Sequence, residues 1–520
     1  MEKFVVYQML PRLWNSGAKP GETPVTGKFS DIDEPFLEYL HSCGVSHLWL
    51  TGLIRHATTV SYKGMPASLR QVVKGDAGSP YAIIDYYDVN PYLADNVNER
   101  HREFRSLLNR VHKSGLKFIM DFVPNHVARD YGRKGLVRSS AIPLGKEDDT
   151  SVHWRPENDF YYYPGEDLTL PVPPSEGQPP YTESPAKASG NCFSPTPGVN
   201  DWYETIRLNY CNTRTATWDR MYEIVRFWCR KGVDGFRCDM VEMVPKEFLS
   251  WLISAIKKEF PSVIFIAEVY TKDLYRTYVN EVGFDFLYDK SGLYDTLRAV
   301  VRGEASARAL TWNWQFLGEL QPRMLNFLEN HDEQRFASDF YAGNAESAFA
   351  ALAVSLLFGV SPFMLYCGEE VGERGMNAEG FSQIDGRTSI FDWCTVDSIA
   401  RLKEYVHTGS GLLPEEESLL SRYRETLALS TSDPSFSRGW TYDLCYCNLK
   451  SRGFDPDRHF CFLRGFGGEA RLVVCNFSSA DAETDIFIPR EAFLYVGCGC
   501  PEETLRRIRV PSRDFVIVPF

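Results

Sequence analysis

The sequence predicts an α/β fold: a (β/α)8 barrel with an inserted domain after its third strand and an antiparallel β-sandwich at its C-terminus. Three observations lead there. Short apolar runs alternate with amphipathic helical stretches over most of the 520 residues. A segment rich in Pro, Gly and Tyr breaks that rhythm from Val127 to about Asn212, and helical periodicity stops after about Arg438. The expected units are therefore 1–126 and 213–437 for the two parts of the barrel, 127–212 for the insertion and 438–520 for the sandwich.

Taken in order, the strand candidates are 4–10, 45–50, 116–123, 233–237, 263–267, 284–287, 323–327 and 362–366. Near-continuous apolar runs suit parallel strands covered on both faces. Helices are expected between them. Residues 31–43 carry Ile32, Phe36, Leu37 and Leu40 at helical spacing and stop at Gly44. Residues 98–114 repeat the pattern with Phe104, Leu107, Leu108 and Val111, 217–231 with Met221, Ile224, Val225 and Trp228, and 246–260 with Leu249, Leu252, Ile253 and Ile256. Eight such alternations favour a closed barrel over an open sheet. Ordinary βα loops run about 2–6 residues, so the long third connection is a subdomain or lid. At the C-terminus, 460–463, 470–476, 485–488 and 515–520 are β-rich runs separated by turns.

Composition narrows the function classes. With 56 Lys+Arg against 69 Asp+Glu the net charge is −13, which disfavours nucleic acid or an anionic membrane as partner. No apolar run has the ~18 residues of a membrane span. The 13 cysteines are irregularly spaced, and the C-x-C pairs Cys445/Cys447 and Cys498/Cys500 read as small core residues of strands, reduced and unpaired. The opening Met1-Glu2-Lys3-Phe4-Val5-Val6-Tyr7 has no cleavable signal pattern, so a cytoplasmic location is expected.

Barrels of this class place their chemistry at the C-terminal ends of the strands. The third strand ends Asp121-Phe122-Val123-Pro124-Asn125-His126, the fourth Gly235-Phe236-Arg237-Cys238-Asp239, the fifth Phe265-Ile266-Ala267-Glu268 and the seventh Glu329-Asn330-His331-Asp332. A lone Asp after a strand is ordinarily an N-cap or a turn former. Here topology brings several carboxylates, an Arg and two His to one rim. Two carboxylates flanking a glycosidic bond suffice for acid/base and nucleophilic work, and a third can stabilise the transition state. Arg237, two residues before Asp239 and on the same strand face, would hold that carboxylate ionised, and crowding would raise the pKa of one member. The rival chemistry is a metal hydrolase with His126, His331, Asp239 and Asp332 as ligands, but no element carries an H-x-H or H-x-x-x-H pair.

These strand ends are DFVPNH, GFRCDMVEM, FIAEVY and FLENHD, and with YQMLPRLW, SPYAIIDYYDVNP and GVSPFMLYCGEEVG they resemble the α-amylase superfamily, glycoside hydrolase family 13, across the whole chain. The resemblance implies a TIM barrel with a domain B and a domain C. It implies Asp239 as nucleophile, Glu268 as general acid/base and Asp332 as transition-state stabiliser. Arg237 would orient Asp239, His126 and His331 would bind sugar hydroxyls, Tyr81 would stack on the ring, and Asp85 would support the same subsite. The reaction implied is retaining double displacement on α-1,4-linked glucans or maltooligosaccharides, with carboxyl groups about 5–5.5 Å apart. Transglycosylation of the 4-α-glucanotransferase kind, hydrolysis of another α-glucoside, and a non-catalytic carbohydrate-binding role stand as alternatives.

Departures from the family pattern carry expectations too. Glu242-Met243 stands where many members have Lys-His on the leaving-group side. Arg207 and Asn209 stand where acidic calcium ligands are common, so no cofactor is expected, structural calcium is disfavoured, and Asn125 is expected to brace the loops. Trp154, Tyr161, Tyr162 and Tyr163 are expected to offer sugar-stacking rings from the lid. Trp440 and Tyr442 are read first as sandwich core, and Cys238 as a packing residue.

Overall fold

The computed structural model describes residues 3–15, 25–62, 64–132, 143–377, 383–499 and 502–520. Eight parallel strands close into a barrel: β1 (Val5–Met9), β2 (His47–Leu50), β3 (Lys117–Phe122), β4 (Gly235–Cys238), β5 (Ile264–Ala267), β6 (Phe286–Tyr288), β7 (Met324–Phe327) and β8 (Phe363–Tyr366). Each overlaps an apolar run named above. Neighbours in sequence are neighbours in the barrel, and the seam closes with Val5 opposite Phe363 while Val6 on its other side faces His47.

The helices bury the faces their periodicity marks. In α1 (Glu34–Ser42) Phe36, Leu37 and Leu40 are buried, and the Asp33 carboxylate caps the start by accepting from Phe36 N–H at 3.2 Å. In α2 (Arg100–Lys113) the buried set includes Phe104, Leu107, Leu108 and Val111. In α3 (Ala216–Lys231) Met221, Ile224, Val225 and Trp228 face inward, and Gly232 ends the helix at φ 104°, a conformation costly for other residues. In α4 (Lys246–Glu259) Leu249, Leu252, Ile253 and Ile256 are buried.

Among its described residues the inserted segment has little regular structure and is held largely by side chains. Residues His126–Ala128, just past β3, pair antiparallel with Thr205–Arg207, which stitches the far end of the insertion to the barrel rim. Fully buried Arg129 ties the middle: it pairs with Glu183 at 2.7 Å and donates to Ser189 Oγ at 2.8 Å and Tyr203 O at 3.0 Å.

At the C-terminus β9 (Trp440–Asp443), β10 (His459–Phe466), β11 (Glu469–Asn476) and β14 (Phe515–Pro519) form one antiparallel sheet, and β12 (Ala482–Ile488) pairs with β13 (Thr504–Val510). Two expectations fail here. Cys445 and Cys447 lie on a short 3-10 turn, Cys445–Asn448, not on a strand, and Cys500 falls outside the described residues. Trp440 is 65% exposed on the edge strand β9, whereas half-buried Tyr442 packs against the core and turns its hydroxyl to a network with Tyr446 and Glu491. The junction with the barrel is apolar and polar at once. Phe358 packs against Phe460 and Phe462, and its carbonyl accepts from Arg464 at 3.1 Å and Thr441 at 2.6 Å.

Among the described residues, eight of the cysteines are buried in the packing and none is drawn into a disulfide in the structure. No helix among the described residues is long and apolar enough to cross a membrane.

Candidate active site

Strand ends place the polar groups, as the topology predicts. The ladder continues one residue past β4 and β5: Asp239 N–H donates to Phe122 O at 2.9 Å and Glu268 N–H to Cys238 O at 3.2 Å. This sets the two carboxylates on adjacent strands at the same height. Asp332 is fixed differently. Asn330 Oδ1 accepts from the N–H groups of Asp332 (2.8 Å) and Glu333 (2.9 Å), an Asx turn that aims the loop after β7 at the mouth.

Arg237 is the hub. Its guanidinium is fully buried; Nη1 lies 2.6 Å from Asp239 Oδ1 and Nη2 2.7 Å from Glu268 Oε1. Asp121 (3.7 Å) and Asp332 (3.8 Å) are the next anions. The rings of Tyr81, Trp49 and Tyr288 surround the same guanidinium at 5.3, 5.9 and 5.5 Å. A desolvated cation is thus compensated by several carboxylates, none of which it fully neutralises.

The carboxylates respond unequally. Burial pushes Asp239 well above the usual carboxylate range, and the Glu268 charge adds to this against the pull of Arg237. Burial likewise raises Asp121 to about 6. Asp332 goes the other way: burial is overcome by His331 and Arg237, which lower it to about 2, and its side chain is a third open to solvent.

His331 sits between these groups. Its Nε2 is 3.0 Å from Asp332 Oδ2 and also contacts the Tyr81 hydroxyl, while Nδ1 lies 2.6 Å from Gln8 Nε2. Its ring stacks on Tyr81 with centroids 5.6 Å apart. His126 is buried across the cleft, packed against Trp202 at 5.2 Å, and burial, with Arg207 and Lys74 adding, lowers it to about 3, so it stays neutral. Cys238 is buried on the alternate face of β4, where burial pushes its thiol up.

A cleft of about 240 Å³ opens over this cluster, and its lining includes Tyr81, His126, Trp202, Asp239, Glu268 and Asp332. Of the expected residues, Tyr81, His126, Arg237, Asp239, Glu268, His331 and Asp332 come together. Asp85 does not line the cleft: it lies in the hairpin opposite Arg55 and accepts from Tyr87 N–H at 3.0 Å. The lid rings are also elsewhere. Trp154 donates to Asn209 Oδ1, Tyr162 donates to Asp148, and Tyr161 packs on Phe193. The insertion's aromatic contribution is Trp202, flanked by the buried Lys74–Glu204 pair at 3.3 Å. Sequence reasoning missed Trp202, Tyr270, Lys74 and Gln8; only Gln8 and Tyr270 lay inside quoted motifs.

Donors occupy the calcium position. Asn125 Nδ2 donates to Gly190 O at 3.0 Å, and Arg207 donates to the same carbonyl at 2.9 Å and to Met243 O at 3.0 Å. A hard cation needs oxygen ligands, not a guanidinium, so these residues do not fit calcium. Among the described residues no three of His, Cys, Asp or Glu are arranged to hold a metal ion.

A family profile described as the catalytic domain of alpha amylase matches residues 10–404. Alpha-amylase 3 of Dictyoglomus thermophilum is 24% identical over 429 residues, 78% of this chain and 73% of that protein. An alpha-1,4-glucan:maltose-1-phosphate maltosyltransferase of Picrophilus torridus is 25% identical over 272 residues, so the match takes in 50% of this chain and 34% of that relative. Among solved structures, a maltogenic alpha-amylase from Thermotoga neapolitana superposes with a TM-score of 0.61 at 21% identity, covering 99% of this chain and 98% of the other. At that identity the likeness is one of fold.

Proposed function

The chain belongs to the α-amylase family of glycoside hydrolases, whose catalytic-domain profile it matches over residues 10–404, and on that premise we propose that it cleaves α-1,4-glucosidic bonds of glucans or maltooligosaccharides with retention. The observation that carries this reading is one buried guanidinium touching both Asp239 and Glu268 at the floor of a sugar-sized cleft. Asp239 attacks the anomeric carbon as the glycosidic C–O bond breaks, and Glu268 gives its proton to the leaving oxygen. Water then attacks the glycosyl–Asp239 ester, losing its proton to Glu268 and releasing Asp239 as carboxylate. Asp332, held low in pKa, stays negative beside the developing positive charge. Tyr81 offers a ring face to the sugar, and His126 and His331 offer donors to its hydroxyls.

No metal or organic cofactor takes part in this scheme, and the Arg207–Gly190 contact supports a calcium-free insertion. The division into domain A (1–126 and 213–437), domain B (127–212) and domain C (438–520) is supported by the pairing of His126–Ala128 with Thr205–Arg207 and by the start of β9 at Trp440. The irregular spacing of the 13 cysteines supports a reducing, cytoplasmic setting.

Time-resolved chromatography of maltooligosaccharide digests tests the assignment, with Asp239→Asn as control. Shorter products alone support hydrolysis. Products longer than the starting sugar would assign transfer, and undiminished turnover by Asp239→Asn would overturn the nucleophile.

A further inference from the structure

The segment after the fifth strand contains a hydrogen-bond chain that the double-displacement scheme does not use. Tyr270, two residues beyond Glu268 in FIAEVY, donates its hydroxyl to Glu268 Oε1 at 2.8 Å and lines the cleft. Glu242 accepts from the N–H groups of Tyr270 at 2.7 Å and Thr271 at 3.2 Å. The acidic departure noted in GFRCDMVEM thus clamps the backbone that carries Tyr270. On the other side of Glu268, Met240 N–H donates to Oε2 at 2.7 Å, from a residue in the left-handed region at φ 44°. A non-glycine residue is held there only when its surroundings over-determine it.

The partners of Glu268 differ in kind. Arg237 and the Met240 N–H can only donate, so both suit an ionised carboxylate. A phenolic hydroxyl can donate or accept. An acid/base group must be protonated while the leaving oxygen departs and ionised while water attacks. Resting on the assignment of Glu268 as that group, we propose that Tyr270, clamped by Glu242, is a positioning residue that keeps a hydrogen bond to Glu268 in both protonation states. Its O–H donates to the carboxylate; rotated about its C–O bond, the same hydroxyl accepts from the carboxylic acid. Tyr270 keeps its own proton throughout. Burial, reinforced by the Glu268 charge, pushes its phenol far up, which makes it a fixed partner and not a competing acid.

The other groups facing this pair are known. Arg237 meets Glu268 directly, with Asp239 and Asp332 around the same guanidinium and Tyr288 below it. Lys290 Nζ lies over the Tyr270 ring at 5.8 Å. Arg237 and Lys290 can only donate, and among the described residues the Tyr288 hydroxyl makes no hydrogen bond to Glu268, so neither kind of group follows Glu268 through both protonation states.

The test is the pH profile of Tyr270→Phe on maltooligosaccharides. The bond to the carboxylate is charge-assisted and about twice as strong as the bond to the neutral acid, so its loss costs the ionised form more and the alkaline limb of kcat/KM moves up by roughly one pH unit. kcat falls roughly tenfold with KM little changed, as expected for general acid–base assistance. On an aryl α-maltoside whose phenol leaves without protonation, the kcat deficit shrinks. Glu242→Ala moves the limb in the same direction, and Glu242→Gln, whose amide oxygen still accepts, restores most of it. An unmoved limb in Tyr270→Phe, or a loss confined to KM, overturns the proposal. Glu268→Gln separates the two layers: if that variant keeps full activity on unactivated substrate, the acid/base assignment fails. If it is inactive while the limb of Tyr270→Phe stays put, only the role of Tyr270 fails.

Discussion

Arg237 reaches Asp239 across two residues of one strand, Nη1 to Oδ1 at 2.6 Å, with the guanidinium wholly out of solvent. The pair therefore reacts very differently to losing its anion and losing its cation. Asp239→Asn removes the nucleophile and lowers kcat by about 10⁴-fold or more. The substitution relieves a buried charge that burial already disfavours, so Tm should hold within about 4 °C. Arg237→Met leaves several carboxylates without their cation and should cost about 3–5 kcal/mol in urea denaturation. A collapse of Asp239→Asn comparable with that of Arg237→Met would contradict this asymmetry.

Among the aromatic residues of the insertion, Trp202 alone of the pair Trp154 and Trp202 lines the cleft. Trp202→Ala should raise KM for maltooligosaccharides roughly tenfold, the worth of one desolvated ring face at about 1.4 kcal/mol. Trp154→Ala, whose ring is 48% exposed and whose N–H is spent on Asn209, should leave KM alone. Steady-state kinetics on both variants decide between the two.

Two buried groups of the site should tilt stability against pH with opposite slopes. Asp121 is raised to about 6, so its contribution is present in acid and lost as pH rises through 6. Asp121→Asn should gain on the wild type between pH 4 and pH 8, by up to about 3 kcal/mol. His126 is lowered to about 3, so its contribution is present above the unfolded value near 6.5 and lost as pH falls. His126→Gln should gain on the wild type as pH drops from 7 to 4, by a similar amount. Urea titrations at these pH values measure both; parallel curves would show that neither group is held as the packing implies.

Chelation should do nothing. With Arg207 and Asn125 both donating to the Gly190 carbonyl, EDTA should leave rate and Tm unchanged, and added calcium should not stabilise. A calcium-dependent rise in Tm would mean that these donors give way to the ion.

The barrel was legible because its strands are buried on both faces, so each of the eight is written as an apolar run that no helix periodicity disguises. Two edge strands of the sandwich were not. β9 leads with exposed Trp440, and β13 reads Thr-Leu-Arg-Arg-Ile-Arg-Val, with one half-covered face and arginines along the other. Site residues carried by strand ends were equally plain, since topology alone aims Asp239 and Glu268. Trp202 and Lys74 escaped because they arrive from irregular segments, where nothing in local spacing says which way a side chain will point. Asp85 misled for the converse reason: it lies near Tyr81 in the chain, but it sits in the hairpin opposite Arg55 and is not among the residues that line the cleft.

Leu356 O and Gly359 O accept from Lys3, and Phe358 O from Thr441 and Arg464, so the approach to β8 is gripped by residues from both extremes of the chain. During synthesis the eighth strand would emerge well before its second set of partners. The ring itself can close through the direct pairing of the first strand with the eighth, while the turn that leads into the eighth gains its remaining hydrogen bonds only once translation has passed Arg464.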